Sequence, residues 1–362
     1  MAAIVPIPAT QDRANGNEKV PRKTLAETVE GFPEDLRKFQ LRYKLAQPTV
    51  KLLATIPKCP SRRNILEKAC FATEFRTFPI RDSERSFFRH VNDHMPIPYQ
   101  VNETICEPWH KVFMLLQLDL LHEPWPNKIS VNGRKALHSD RGRIYIVLDK
   151  VLRCLADILG ARQDGRGVSV ALDVLRSTKA GVWEGSSKEL LQVEGLGMKT
   201  MEKLNKAGVK TIKQLKRLEF FHIERLLSRN PPFGHNMLHQ LEDFPVLNMK
   251  VEFLGWHQQE PLGPRGKPAN MAIHITRVNL LTENQIPPVW KKQSLWASLV
   301  IEGSDDRLVM FWRGSLRKLV GGKELVFGLE ISEAEELKMT FACEAIVGTL
   351  VRRTLTARNL YA

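Results

Sequence analysis

Residues 190–204, read Leu-Leu-Gln-Val-Glu-Gly-Leu-Gly-Met-Lys-Thr-Met-Glu-Lys-Leu, constrain this chain more than any other stretch. An apolar pair leads into Gly195-Leu196-Gly197, and a lysine-rich amphipathic segment follows. The spacing predicts a short helix, a two-glycine hairpin and a second helix. Glycines permit positive φ and let backbone approach a ligand closely. The hairpin amides and the N-terminus of the second helix then converge on one anion. Ala207-Gly208 and the following Val209-Lys210-Thr211-Ile212 predict a second turn and helix start.

This is the helix-hairpin-helix pattern, which holds a nucleic-acid phosphate without reading base sequence. A Gly-x-Gly turn also occurs in ordinary helical hairpins, so the surrounding charge decides between the two. From Met198 to Arg217 there are seven Lys or Arg (199, 203, 206, 210, 213, 216 and 217) against a single acid, Glu202. A solvated helix face mixes signs, whereas an excess of this kind beside an anion-binding turn favours a polyanion. The candidate contacts are Gly195, Leu196, Gly197, Lys199, Thr200 and Lys203.

The rest of the chain agrees. Its 362 residues carry a net charge of +14, and 43% are hydrophobic. That length suits about two to three domains with real cores. No apolar run reaches the ~18 residues of a spanning helix; Val112 to Leu121 comes nearest and is interrupted by Gln117 and Asp119. No secretory signal pattern opens the chain. The five cysteines (59, 70, 106, 154 and 343) form no C-x-x-C pair and read as reduced thiols of a nuclear or cytosolic protein. His90/His94 and His235/His239 sit four apart without the Glu of H-E-x-x-H, so no metal is expected.

Four segments follow along the chain. Residues 1–32 lack periodicity and read as a flexible arm. Residues 33–175 read as a helical bundle, with Ser61 opening one helix and Asp140 capping the longest, 141–159. Arg143, Lys150, Arg153 and Asp157 of that helix fall on one stripe away from its apolar side, which taken alone reads as a solvated face. Residues 176–245 hold the helix-hairpin-helix unit, and 246–362 turn to short β-rich runs with a hairpin turn at 302–306. Such runs predict an immunoglobulin-like β-sandwich. The expected fold class is therefore multi-domain α+β.

That order of units, with Glu74 to Phe88 (E-F-R-T-F-P-I-R-D-S-E-R-S-F-F), Trp183, residues 190–204, S-R-N-P-P-F-G from Ser228 to Gly234 and Asp243-Phe244-Pro245, resembles a known family. It is similar to the Sec-sixty-three unit that follows the motor of Ski-two-like helicases, nearest to the meiotic crossover helicases of the Mer-three type. The resemblance covers about residues 33–350. It implies a nucleic-acid-binding accessory module of a 3′–5′ ATP-dependent DNA helicase acting in meiotic recombination in the nucleus. It turns Arg143, Lys150 and Arg153 into a strand-facing row on a ratchet-like helix. It implies single-stranded or branched DNA as partner, and motor domains or recombination proteins docking on the β-sandwich.

The family's motor has no counterpart here. A phosphate-binding G-x-x-x-x-G-K-[ST] loop would need Gly where Val193 and Met198 stand before Lys199-Thr200. No catalytic group is assigned, and ATP and Mg would belong to motor domains outside this chain, which reads as an incomplete helicase product or a free-standing module. Three alternatives remain. A glycosylase with Lys199 as nucleophile lacks its carboxylate, since no Asp occurs between Asp173 and Asp243. An RNA helicase accessory module of the spliceosomal type would grip phosphate equally well. A protein-interaction scaffold is the third.

Overall fold

The computed structural model describes residues 34–258, 272–291, 293–330 and 335–356; the expected arm, residues 1–32, lies outside them. Seven helices come first: α1 (Glu34–Tyr43), α2 (Gln47–Leu53), α3 (Arg62–Cys70), α4 (Asp82–His94), α5 (Pro108–Leu121), α6 (Val131–Ala161) and α7 (Gly165–Ala180). Ser61 starts α3 as expected, its hydroxyl accepting from the Asn64 N–H in a capping box. Helix α5 is the axis of the bundle, with residues 112–118 all buried. Its Phe113 joins Phe87 and Phe88 of α4 and Leu148 and Leu152 of α6 in one core.

Two expectations for this region are corrected. The longest helix begins at Val131 and is capped by Ser130, which accepts from the Gly133 N–H at 3.1 Å. Asp140 lies inside α6 and is 6% exposed. Its carboxylate is occupied by Lys111 Nζ at 2.9 Å and Arg81 at 2.9 Å, and Glu84 completes the cluster 2.8 Å from Lys111. The first turns of α6 bury little besides Leu137, so no apolar stripe announces them. The expected boundary between residues 175 and 176 also fails. It falls inside α7, where Arg176, Ser177 and Thr178 are buried.

Four short helices follow: α8 (Met198–Lys206), α9 (Ile212–Lys216), α10 (Phe220–Leu227) and α11 (Phe233–Glu242). Nine strands follow among the described residues: β1 (Leu247–Gln258), β2 (Ala272–Thr282), β3 (Val289–Trp290), β4 (Gln293–Ser294), β5 (Trp296–Glu302), β6 (Leu308–Ser315), β7 (Lys323–Glu330), β8 (Glu336–Cys343) and β9 (Val351–Thr356). They form an antiparallel sheet in the order β1-β2-β7, a second in the order β6-β5-β8-β9, and the small β3-β4 hairpin. Leu280 and Leu329 of the first sheet share a core with Leu299, Met339 and Phe341 of the second. Leu204, Ile212 and Leu241 of the short helices belong to that same core. The molecule is thus multi-domain and mixed α and β, built on two hydrophobic cores.

A charged seam joins the two bodies. Arg313 of β6 lies 2.9 Å from Asp157 of α6 and pairs with Glu344, which is 1% exposed. Arg153 of α6 reaches Glu344 at 2.8 Å, and Arg42 reaches Asp157 at 3.0 Å. Three arginines and two carboxylates from both bodies meet there, with the Arg313, Asp157 and Glu344 side chains largely covered and Arg42 at the exposed edge. Such a cluster fixes relative orientation, because removing any one partner strands a buried charge.

Candidate functional site

The hairpin of residues 193–197 is a tight turn closed by the Leu196 N–H donating to the Val193 carbonyl at 3.2 Å. Gly195 sits third in that turn with φ +83°, the position of a type II turn that only residues tolerant of positive φ occupy. Leu196 points inward and is 6% exposed, anchoring the turn in the core. Gly197 is the N-cap of α8 with φ −95° and ψ 173°, and no side chain caps this end. The Gly197 carbonyl accepts from the Thr200 and Met201 N–H groups at 3.0 and 2.9 Å. The amides of Met198 and Lys199 have no acceptor among the described residues, as the first turn of any helix leaves them.

Both hairpin glycines were read as permitting positive φ, and Gly197 makes no use of it. Its φ is one that any residue adopts, and a Cβ there would meet nothing within 4 Å. The angular requirement belongs to Gly195. What Gly197 offers is an open approach to the free amides.

Helix α8 ends in a second glycine turn. Gly208 has φ +86°, and the Val209 N–H reaches back to the Leu204 carbonyl at 2.9 Å while the Gly208 N–H bonds to Asn205 at 3.0 Å. This is the Schellman arrangement. Thr211 then caps α9, its hydroxyl accepting from the Gln214 N–H. The Ile212 N–H donates to Glu189 Oε1 at 2.9 Å, and burial raises the Glu189 carboxyl above the usual carboxylate range. Thus an acid of the protein fills the start of α9, while the start of α8 faces solvent.

Lys199, Lys203, Lys206, Lys210 and Arg217 are exposed, Thr200, Lys213 and Lys216 partly so. None of the seven cations lies within 4.0 Å of a carboxylate among the described residues. The site therefore gathers Gly195, Gly197, Lys199, Thr200 and Lys203 at or just behind one helix start.

The row on α6 does not hold together. Arg153 is committed to Asp149 at 3.2 Å and to Glu344 at 2.8 Å, inside the seam. Asp157 is taken up there as well, so this end of the stripe is neither strand-facing nor solvated. Lys150 is exposed, and Arg143 is exposed with its guanidinium 5.0 Å from the Phe78 ring centre. The stripe was read from α6 alone; the β-sheet that covers one end of it is remote in sequence.

Among the described residues no group of three His, Cys, Asp or Glu side chains could hold a metal, and no helix is long and apolar enough to cross a membrane. All five cysteines are free thiols. Burial pushes the Cys154 and Cys343 thiols up to about 12, which removes their thiolate reactivity at neutral pH.

The family model of the Sec63 Brl domain matches residues 36–352, and the chain belongs to that family. It is similar to the ATP-dependent DNA helicase MER3 of Saccharomyces cerevisiae, with 21% identity over 85% of this chain and 26% of that protein. It is 22% identical to the ATP-dependent DNA helicase homolog MER3 of Arabidopsis thaliana over 78% of this chain and 24% of the relative. The DExH-box ATP-dependent RNA helicase DExH13 of the same plant is 22% identical over 86% of this chain and 14% of its own length. The chain spans about a quarter or less of these relatives.

Proposed function

We propose that this Sec63 Brl domain is the nucleic-acid-binding accessory unit of a 3′–5′ ATP-dependent DNA helicase acting in meiotic crossover formation in the nucleus. The observation that carries the reading is the uncapped start of α8 behind the Gly195 turn, with seven unpaired cations on α8, α9 and their surroundings. In this reading residues 190–216 are a helix-hairpin-helix unit. A backbone phosphate accepts from the Met198 and Lys199 amides, and Lys199 and Lys203 add charge beside it. The grip follows the strand without sequence preference. The strands β1 to β9 are, in this reading, an immunoglobulin-like sandwich that docks motor domains or recombination proteins. ATP and Mg are held by the motor, and this unit raises the hold on the strand between steps. Arg143 and Lys150 supply outlying contacts; Arg153 keeps the bundle and sheet aligned.

RNA is the second reading, favoured by the likeness to an RNA helicase over most of the chain. Direct competition separates the two. The chain is bound to a labelled single strand or fork, and unlabelled DNA and RNA of one sequence are titrated in. Preference for DNA supports the first reading and preference for RNA the second. No binding of either at low salt would refute both.

A further inference from the structure

The N-P-P-F-G string has no part in the phosphate grip, yet the structure uses it to build a surface. Gly234 is buried where α11 meets α10, and a Cβ there would stand 2.1 Å from the Phe220 carbonyl oxygen. The Gly234 N–H donates to Glu224 Oε1 at 2.9 Å, inside the contact. Glycine and the buried acid thus bring the start of α11 against the start of α10. The result sets His235 beside Phe220, with ring centres 6.3 Å apart. Arg229 closes the other side over the Phe233 ring at 5.5 Å.

This scaffold presents aromatic rings to solvent. Phe220 and Phe221 are each 47% exposed. Their rings meet edge to face at 5.7 Å and 89°, so the pair engages one flat face of only one ring. His222 lies against Phe221 at 4.4 Å. Exposed paired phenyl rings cost solubility and need an occupant. The charge around them indicates which. Lys213, Lys216 and Arg217 precede the doublet, Arg225 lies one turn after Phe221, and Arg229 follows. None of these is within 4.0 Å of a carboxylate among the described residues, and the one exposed acid among them is Glu219. Exposed rings in a segment flanked along the chain by unpaired cations match the chemistry of an unpaired nucleic-acid strand, whose bases stack while its phosphates find cations.

We propose that Phe220 and Phe221, set in place by Gly234 and Glu224, form a stacking shelf for the bases of a single strand. The inference rests on the phosphate grip at α8 and adds what that grip lacks, a means of telling unpaired bases from a duplex. A duplex hides its base faces and gains only the charge. The shelf therefore biases the unit toward single-stranded or splayed nucleic acid, DNA or RNA alike.

The test uses the full chain and fluorescence anisotropy on oligothymidylate, oligouridylate and an abasic oligomer, each of about 15 nucleotides, within the usual range of single-strand sites. Phe220→Ala with Phe221→Ala should weaken binding to both base-bearing oligomers by at least about fivefold, the factor that corresponds to the lower end of one stacked base. It should leave the abasic oligomer unaffected. Phe220→Leu with Phe221→Leu keeps the apolar volume and guards against loss of fold; it should show the same selective loss with an unchanged melting transition. Lys199→Ala with Lys203→Ala should weaken all three oligomers alike. Wild-type affinity in either phenylalanine pair, or an equal loss on the abasic oligomer, overturns the shelf and leaves the rings to a protein partner. If the lysine pair still weakens binding in that case, the phosphate grip survives. Failure of the wild-type chain to bind any oligomer overturns both.

Discussion

The two hairpin glycines should respond oppositely to alanine. Gly195 has φ +83°, where an L side chain brings Cβ against the following carbonyl. Gly195→Ala should therefore cost about 1–2 kcal/mol, felt in the core that Leu196 anchors. Gly197 has φ −95° and open space at its Cβ. Alanine there reduces the freedom of the unfolded chain, worth roughly 0.4–1 kcal/mol, and loses a similar amount as a poorer N-cap. The net change in stability should be within about 0.5 kcal/mol of zero. The same methyl, however, stands in the approach to the Met198 and Lys199 amides. Losing one hydrogen bond to a charged group costs about 1.5 kcal/mol, on the order of tenfold in affinity. Thermal melting and anisotropy on a single-stranded oligomer, run on both variants, separate the effects. The expected pattern is a lowered melting transition for Gly195→Ala, and a near wild-type transition with weakened binding for Gly197→Ala. A Gly197→Ala protein that melts normally and binds like wild type would refute the amide grip.

Other outcomes follow from the charged clusters. Lys111→Met leaves Glu84 and Asp140 buried with Arg81 as their remaining cation, and should cost about 3–5 kcal/mol in chemical denaturation; a cost under about 1 kcal/mol would mean the site hydrates freely. Arg153→Ala should destabilise by about 1–3 kcal/mol, since Glu344 loses one of its two partners, while Lys150→Ala should be neutral for stability; equal effects would place Arg153 on the solvent side after all. Burial raises the Glu189 carboxyl in the folded state. The folded chain thus holds that proton more tightly than the unfolded chain, and the associated stability is present in acid. It is lost as pH climbs from the ordinary carboxylate range through the raised value. Glu189→Gln keeps an acceptor for the Ile212 N–H and removes that loss, so its stability relative to wild type should rise with pH across this window. A difference that is flat or falls with pH would contradict the assignment.

Local chemistry was the most legible part of the sequence. Ser61, Thr211 and the glycines at 195 and 208 act through neighbours within five residues, and each lies where its turn or cap requires. The buried α5 announced itself by the apolar run from Val112 to Leu121, interrupted only by Gln117 and Asp119. The start of α6 did not, because its first turns stand clear of the core and carry polar residues on every side. Asp140 and Arg153 were misjudged for a related reason. Their partners Lys111 and Glu344 lie far away in sequence, and helical periodicity reports a face without reporting what covers it. Gly197 was misassigned because two glycines two apart look equivalent as letters, whereas only the third residue of the turn adopts positive φ. Phe220 and Phe221 went unread as site residues, although an aromatic doublet separated from Lys216-Arg217 by two residues was the available signal. The two-core arrangement was also hidden, since the short helices bury only a few residues each and borrow their core from the sheets.

The central claim is a phosphate grip at the start of α8, and the salt dependence of single-strand affinity tests it most directly. With about four to six phosphate contacts at a slope of about −0.7 each, log affinity should fall against log salt with a slope near −3 to −4, at least tenfold between about 50 and 200 mM. Lys199→Ala should make that slope shallower by about one unit and weaken binding about equally across base sequences. An affinity independent of salt, or a slope that Lys199→Ala leaves unchanged, would contradict it.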